Sequence, residues 1–275
     1  MKKILLAIIA VLGLTTNASA QKFLDIYSNG KIVSSIKAAD VDSMVVSGEG
    51  NSRSLDFFHN GEAFHHTLTA NVDSIKVFRA GEAVDLGLPS GTLWASCNVG
   101  ARNPEDYGDY FAWGETMPKE NYSSSTYKWC AGDYDKLTKY CYKSGAGNNG
   151  FTDNKTELDL EDDAAYVNWG SSWRMPSLDQ INELIDNCNW EWTQLNGVWG
   201  RKATSKKNGN SIFLPAAGWR VGPSLDDAGS YGLYWSRSLS TSYPYGAYLL
   251  YFNSGSVDWG YSDRLGGQSV RPVRR

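Results

Sequence analysis

The sequence predicts an α+β domain of short antiparallel strands, two short helices and long loops, preceded by a small all-β repeat module. Three observations support this fold class. Two segments near the start of the chain repeat each other at a spacing of about 31 residues. Composition then changes at Gly81, since all 11 Trp and all but one of the 16 Tyr lie beyond it. Beyond this point, short alternating runs are separated by Gly, Asn and Ser, and few segments show helical periodicity.

Residues 1–20 have the features of a secretory signal peptide: a basic start, an apolar run and Ala-Ser-Ala before Gln21. The apolar run is too short for a membrane span, and an uncut N-terminal anchor is the alternative. We therefore expect a chain that is exported to the periplasm, the cell surface or the medium and does not span the membrane. Acidic residues outnumber basic residues 30 to 26 and no basic stripe exists, so nucleic acid is not an expected partner.

Residues 21–80 hold the repeat, whose two copies are residues 24–46 and 55–77. Each copy predicts a β-hairpin followed by a third strand. The hairpin turns are expected at Asn29-Gly30 and Asn60-Gly61, because Asn and Gly tolerate the positive φ that two-residue turns require. Neither copy has much core alone, so the two are expected to fold together as a docking or stalk module.

The main domain, 81–275, begins with a predicted hairpin over 83–100, where apolar residues alternate on both sides of Pro-Ser-Gly. Acidic residues favour a helix N-terminus, and they predict a short helix over 161–167. Ser177 and Gln180 form a capping box that predicts a second helix over 177–187.

Short alternating runs follow the second helix and predict most of the remaining sheet. Pro272 lies in the last run, so that strand is expected at a sheet edge or in an interrupted ladder. Residues 101–160 are rich in Gly, Tyr, Asn and Lys and are predicted to be irregular. The predicted strands are residues 197–204, 211–219, 231–238, 247–254, 256–262 and 268–274.

The four cysteines allow three disulfide pairings, and export makes disulfides possible. Cys130 and Cys141 are close together in a loop-like region, which favours them as one pair. Cys97 and Cys188 would then form the other pair. Free buried thiols are the alternative, and the absence of CxxC spacing argues against a zinc site.

Several separated motifs of the main domain resemble the Fibrobacter succinogenes major paralogous domain family, over residues 83–273. The resemblance implies a C-type-lectin-like fold, related to the formylglycine-generating enzymes and to the variable receptors made by diversity-generating retroelements. In that fold the first and last strands pair, which places 83–99 beside 269–273. The motifs are VDLGLPSGTLWASCNVGA, YGDYFAWGE, DDAA with WRMPS, NGNSIFLPAAG, YWSRS and SVRPV.

The catalytic groups of the enzymes in this group are missing from the chain. Formylglycine-generating enzymes hold copper through a late cysteine pair, whereas the last cysteine here is Cys188. The ergothioneine-type relatives use an iron-binding set of histidines, whereas the main domain here has no His. We therefore expect neither catalysis nor a cofactor. A glycosidase-type carboxylate pair among Asp106, Asp109 and Glu115 is the enzymatic alternative.

No metal site is expected either. Residues 153–163 hold six carboxylates but lack the EF-hand spacing, and the Glu-Pro-Asn and Trp-Asn-Asp motifs of calcium-dependent lectins are absent. This segment is predicted to be a solvated acidic loop that leads into a helix. His65 and His66 are neighbours on a predicted strand, so they point to opposite faces and cannot share a metal.

Residues 219–264 are dense in Trp, Tyr, Ser, Asn and Gly, the composition of antibody binding loops. In the retroelement-diversified relatives the corresponding region carries the binding face, and loop packing is the structural alternative. Trp235, Tyr248 and Tyr251 fit strand interiors and are expected in the core. By that analogy the candidate contacts are Tyr243, Tyr245, Tyr261 and Arg264, with Arg237 and Asp263 as polar partners.

The sequence therefore predicts an exported, non-catalytic module that binds a glycan or a protein through its C-terminal loops. One alternative is a structural or adhesin subunit that the N-terminal repeats dock to another cell-surface protein. The other is a carbohydrate-active enzyme that uses a carboxylate pair.

Overall fold

The computed structural model describes residues 22–28, 31–37, 41, 43–47, 53–68, 72, 74–79 and 81–275. The predicted signal peptide and the Asn29-Gly30 turn lie outside these residues. Within the described segments, no helix is both long and apolar enough to cross a membrane. The chain divides into two compact units, with the boundary between Arg79 and Ala80.

The first unit contains two three-stranded antiparallel sheets, with the orders β2-β1-β6 and β3-β4-β5. Their strands are β1 (Lys22–Ser28), β2 (Lys31–Lys37), β3 (Ser43–Ser47), β4 (Ser54–His59), β5 (Glu62–Leu68) and β6 (Ser74–Arg79). Each repeat therefore gives its third strand to the hairpin of the other repeat. Each repeat supplies the predicted strands, and the two copies together form two sheets rather than the single small sheet that was expected.

The shared core of this unit gives the physical reason for the strand exchange. Leu24 and Ile26 of the first repeat and Leu55 and Phe57 of the second are buried in one hydrophobic cluster. Neither hairpin could bury these side chains alone, and the exchanged strands join the two halves.

The predicted turn of the second hairpin is confirmed, since Asn60 and Gly61 have φ of 52° and 80°. His65 packs edge-on against Phe57 at 5.5 Å between ring centroids. His66 is exposed and contacts the carboxylate of Asp56. The two histidines therefore have different surroundings, as the alternation of a strand requires.

The second unit consists mainly of short antiparallel strands with two α-helices, which agrees with the predicted α+β class. The helices are α1 (Ala164–Trp169) and α2 (Leu178–Asn187), and residues 101–160 contain only short 3-10 turns, as predicted. The strands are β7 (Ala83–Asp85), β8 (Leu93–Ala95), β9 (Cys188–Leu195), β10 (Val198–Ser205), β11 (Ser211–Pro215), β12 (Trp219–Val221), β13 (Ser224–Asp226), β14 (Gly232–Leu239), β15 (Gly246–Phe252), β16 (Val257–Asp263) and β17 (Val273–Arg274).

The two ends of this unit pair with each other, as predicted. In the sheet β17-β8-β7, Val273 lies opposite Trp94, and the amide of Ala95 donates to the carbonyl of Pro272 at 2.9 Å. β17 is the edge strand that Pro272 indicated. The pairing closes the second unit, because it holds the first and last strands of that unit in one sheet.

A single buried carboxylate ties α1 to the Arg-Met-Pro motif. Asp163 caps α1 by accepting hydrogen bonds from the amides of Ala165 and Tyr166. It also accepts the amide of Met175 at 3.0 Å, and its burial raises its pKa above the usual value. The helix begins at Ala164 rather than at 161, because Asp163 itself is the cap.

The capping box of α2 is confirmed: Ser177 accepts the amide of Gln180, and Gln180 accepts the amide of Ser177. Ile181 and Leu184 on its apolar face are fully buried. They pack in a core cluster with Leu250 and other strand residues of the second unit.

The predicted disulfides are not formed, since all four cysteines are free. The thiol of Cys97 donates to the carbonyl of Ala101, whereas Cys188 is buried in the core cluster beneath α2. Cys130 and Cys141 pack in the same small cluster, yet each thiol donates to a different carbonyl. The free thiols that were the alternative are what the structure contains, and all of them except that of Cys130 are buried.

Candidate functional site

Three of the six candidate residues, Tyr243, Tyr245 and Tyr261, lie side by side at the end of the β15–β16 pair that is opposite its turn. The ring of Tyr243 is 5.5 Å from that of Tyr245 and 5.7 Å from that of Tyr261, centroid to centroid. Tyr134 extends the row, with its ring 5.2 Å from Tyr245. We call these four tyrosines and Asp263 the aromatic surface.

The aromatic surface is open to solvent at both ends. Tyr261 is 54% exposed and Tyr134 is 53% exposed, while Tyr243 and Tyr245 are half-buried between them. On β16, Trp259 is 46% exposed and packs edge-on against Tyr248 at 5.6 Å. Large exposed rings on hydrogen-bonded strands provide rigid contact area at low cost in conformational entropy.

Asp263 gives the aromatic surface a polar anchor. Burial, together with a hydrogen bond to the Asp263 carboxylate, raises the pKa of Tyr243 to about 12. The hydroxyl of Tyr243 therefore remains a donor throughout the physiological range. Burial and the nearby charge of Asp135 also raise the pKa of Tyr245.

Arg264 is not part of the exposed surface, so its assignment as a contact is wrong. Only 1% of the residue is exposed. Its guanidinium donates to the carbonyls of Tyr140 at 3.0 Å and Pro244 at 3.1 Å, and it lies 5.7 Å from the ring centroid of Trp113. The residue supports the aromatic surface from below, because it fixes the backbone on both sides of it.

Arg237 does not join the tyrosines either. Its guanidinium binds Glu157 at 3.1 Å and the carbonyl of Met175 at 3.0 Å. It lines a different cleft, beside the N-terminus of α2. These contacts hold the 157 loop against the helix, so the prediction that Arg237 partners the tyrosines is wrong.

The three aromatic residues expected in the core differ from one another. Trp235 is fully buried, as predicted, and donates to the carbonyl of Phe111 at 2.8 Å. Tyr248 and Tyr251 are half-buried instead. Tyr248 lies opposite Tyr261 in the β15–β16 ladder and borders the aromatic surface.

The carboxylates suggested as a hydrolytic pair have separate structural roles. Asp106 accepts the amides of Arg102 and Asn103. Glu115 is bound by Lys119 at 2.8 Å. Asp109 lines a cavity of about 470 Å³ that Glu115 does not line.

The acidic stretch is solvated only in part, since Glu157 and Glu161 are exposed whereas Asp162 and Asp163 are buried. Asp162 is 1% exposed, and the ammonium of Lys139 lies 2.6 Å from its carboxylate and 2.7 Å from that of Asp159. Glu161 is 3.7 Å from the same ammonium. Burial alone would lower the pKa of Lys139, but hydrogen bonds to Asp159 and Asp162 raise it overall. Lys139 thus occupies the centre of the only carboxylate cluster with metal-like spacing in the described residues.

Added calcium is expected to leave the thermal unfolding midpoint of the wild-type chain unchanged. A divalent ion would have to displace the Lys139 ammonium from Asp159 and Asp162. Calorimetry with calcium and with EDTA measures this directly. A calcium-dependent rise in the midpoint would show that these carboxylates bind the ion in spite of the lysine.

No protein-family model, no curated protein and no solved structure matches the chain. The family resemblance of the main domain therefore remains a prediction. The functional assignment depends on the geometry of the aromatic surface.

Sequence reasoning missed Tyr134 and Trp259 as members or neighbours of this surface. Tyr134 comes from the irregular middle segment. No local pattern connects it with Tyr245, which lies 111 residues further along the chain. Trp259 did carry a signal, since it alternates with Tyr261 on the same strand and the strand was predicted.

Proposed function

We propose that the chain is an exported, non-catalytic protein that binds a glycan or a protein surface through the aromatic surface. The observation that carries this proposal is the unbroken row of tyrosine rings, each 5.2–5.7 Å from the next, with both end rings more than half exposed. Monomeric proteins seldom expose such rings together without a binding role.

Strands and a buried cation make this surface rigid. Tyr261 is held in the β15–β16 ladder, and the guanidinium of Arg264 binds the backbone at Pro244 between Tyr243 and Tyr245. A preorganised surface loses little entropy on binding. The Tyr243 hydroxyl and the Asp263 carboxylate add a directional hydrogen-bonding pair, which suits a hydroxylated ligand such as a sugar.

We also propose that the second unit has a C-type-lectin-like fold. The pairing of β8 with β17 and the presence of two helices among short strands support this assignment. Fold alone does not define function, so the ligand hypothesis rests on the aromatic surface.

A glycan array probed with the purified full chain tests the proposal. Tyr261→Ala and Tyr243→Ala are each expected to weaken binding about tenfold or more, because loss of an aromatic anchor costs about 1.5–2 kcal/mol. Tyr261 is exposed, so its replacement should change stability little.

Trp199→Ala is the matched control. Trp199 is 42% exposed, and its ring stacks on Trp192 rather than on any member of the aromatic surface. This variant should bind like the wild type. If both tyrosine variants also bind like the wild type, the aromatic surface is not the site.

A second candidate function, a structural or adhesin subunit, is favoured by one observation. Val45 and Val46 are exposed on β3, which is an edge strand of its sheet. An edge strand with apolar side chains can pair with another chain. Recovery of the chain in a fixed cell-surface complex, with no array ligand, would favour this function.

A further inference from the structure

A cleft of about 780 Å³ lies beside the N-terminus of α2, apart from the aromatic surface. Arg174, Arg274 and Arg275 line it together with Ser171 and Ser172. We call it the arginine cleft.

Strand pairing brings the first two of these arginines together from distant parts of the sequence. The amide of Arg174 donates to the carbonyl of Val273 at 2.9 Å, and the amide of Val273 donates back at 2.8 Å. Arg174 and Arg274 are therefore neighbours across one backbone pairing. This placement follows from the closure of the unit by β17.

Both guanidinium groups rest on aromatic rings. The Arg174 guanidinium is 4.2 Å from the ring centroid of Tyr166, and that of Arg274 is 5.1 Å from the ring centroid of Trp173. Stacking fixes the plane of each guanidinium while leaving its edge free to donate hydrogen bonds. Each oriented guanidinium edge is therefore a preorganised donor set for an oxyanion in the cleft that both residues line.

Neither arginine forms an ion pair within the described part of the chain, although the charge of Arg174 partly offsets the effect of burial on the pKa of Asp163. Arg174 uses one terminal nitrogen to bind the carbonyls of Ser171 and Trp173, at 3.3 and 2.7 Å. Three of its five N–H donors remain. Among the described hydrogen bonds and ion pairs, none involves the side chain of Arg274.

The acidic residues of the cleft mostly have other partners. Glu157 binds Arg237, and Asp163 is occupied by the backbone amides that it caps. Glu183 accepts hydrogen bonds from the amide and the hydroxyl of Ser90. Asp179 is exposed and faces the cleft from the first turn of α2. The arginine side of the cleft thus keeps unpaired positive charge.

We propose that Arg174 and Arg274 bind the carboxylate or sulfate group of an acidic glycan. The guanidinium edges would hold the oxyanion, and the hydroxyl group of Ser171 would face the adjoining sugar. A sugar suits the cleft better than a peptide does, because its lining is mainly hydroxyl, amide and charged groups. Its apolar lining consists of Leu158, Leu160 and Val273.

Titration calorimetry of the full chain tests this site, with an oligouronate, a sulfated oligosaccharide and a neutral oligosaccharide of equal length as probes. One acidic probe should bind at least about tenfold more tightly than the neutral one, and added salt should weaken it. Arg174→Gln and Arg274→Gln should each remove most of this preference. Equal affinity for acidic and neutral probes would overturn the proposal.

Arg220→Gln is the control, since Arg220 also stacks on a tyrosine, 5.1 Å from the ring centroid of Tyr110, but lines another cavity. It should keep the preference for the acidic probe. The Arg274→Gln variant is expected to fold like the wild type, because the Arg274 side chain makes none of the described hydrogen bonds. A loss of binding in this variant is therefore not explained by misfolding. An acidic peptide that binds while both acidic glycans fail would also overturn the proposal. Loss of acidic-glycan binding in Tyr261→Ala but not in Arg274→Gln would assign it to the aromatic surface instead.

Discussion

Replacing Arg271 with alanine should lower the free energy of unfolding by about 3–5 kcal/mol. The residue is 0% exposed, and its guanidinium donates to the side-chain oxygen of Asn98 at 2.8 Å and to the carbonyl of Phe213 at 2.9 Å. It also reaches the carbonyls of Ala95 and Ser96. The substitution leaves these acceptors unsatisfied in the interior and opens a cavity the size of the lost side chain.

Urea denaturation measures this effect through the midpoint at unchanged slope. Arg274→Ala is the matched control from the same terminal segment, and it should cost less than about 1 kcal/mol because its side chain is half-buried and makes no described hydrogen bond. An Arg271→Ala variant as stable as the wild type would contradict the closure of the unit around this guanidinium.

Replacing Lys139 with methionine should destabilise the chain by a similar amount, about 3–5 kcal/mol, because it leaves the buried carboxylate of Asp162 without its closest cation. The ammonium of Lys128, 3.3 Å away on an exposed side chain, cannot compensate fully. The double variant with Asp162→Asn should recover part of the loss, because it removes the unpaired buried charge.

Lys136→Met is the control for the Lys139→Met variant. Lys136 and Asp133 form an exposed pair at 3.9 Å, and such pairs contribute about 0–1 kcal/mol. If Lys139→Met is no more destabilising than Lys136→Met, the buried cluster does not hold the 153–163 segment in place. If Lys139→Met lowers the free energy of unfolding equally in the Asp162→Asn background and in the wild type, Lys139 and Asp162 are not coupled.

Elements with strong local signals were predictable from the sequence. The capping box of α2 and the Asn60-Gly61 turn depend on neighbours within three residues, and both are confirmed. Most strands after residue 197 were also predicted, because alternation and turn residues mark them, but the short β12–β13 hairpin was not. β9 was not predicted, although Trp190 and Trp192 alternate before an Asn196-Gly197 turn.

Features that depend on distant partners were not predictable. The exchange of β3 and β6 between the repeats leaves the local alternation of each strand unchanged, so periodicity cannot reveal it. The burial of Arg264 depends on which carbonyls the fold leaves without donors, at Tyr140 and Pro244. The analogy with the retroelement-diversified receptors placed Arg264 on the surface, where arginine usually lies.

The candidate site was predicted in part for the same reason. Tyr243 and Tyr245 lie just before β15 and Tyr261 lies on β16, so their proximity follows from the pairing of these two strands. Tyr134 joins them only through the long irregular segment. All four tyrosines are nevertheless at least partly exposed. A segment rich in aromatic residues is what suggested binding.

The most direct test of the central claim is hydroxyl-radical footprinting of the wild-type chain with and without the ligand found on the glycan array. Bound ligand should protect Tyr134, Tyr245 and Tyr261, while Trp199, exposed on another sheet, should react as before. Protection of Trp199 with no change at Tyr134 and Tyr261 would contradict the assignment of the aromatic surface as the binding site.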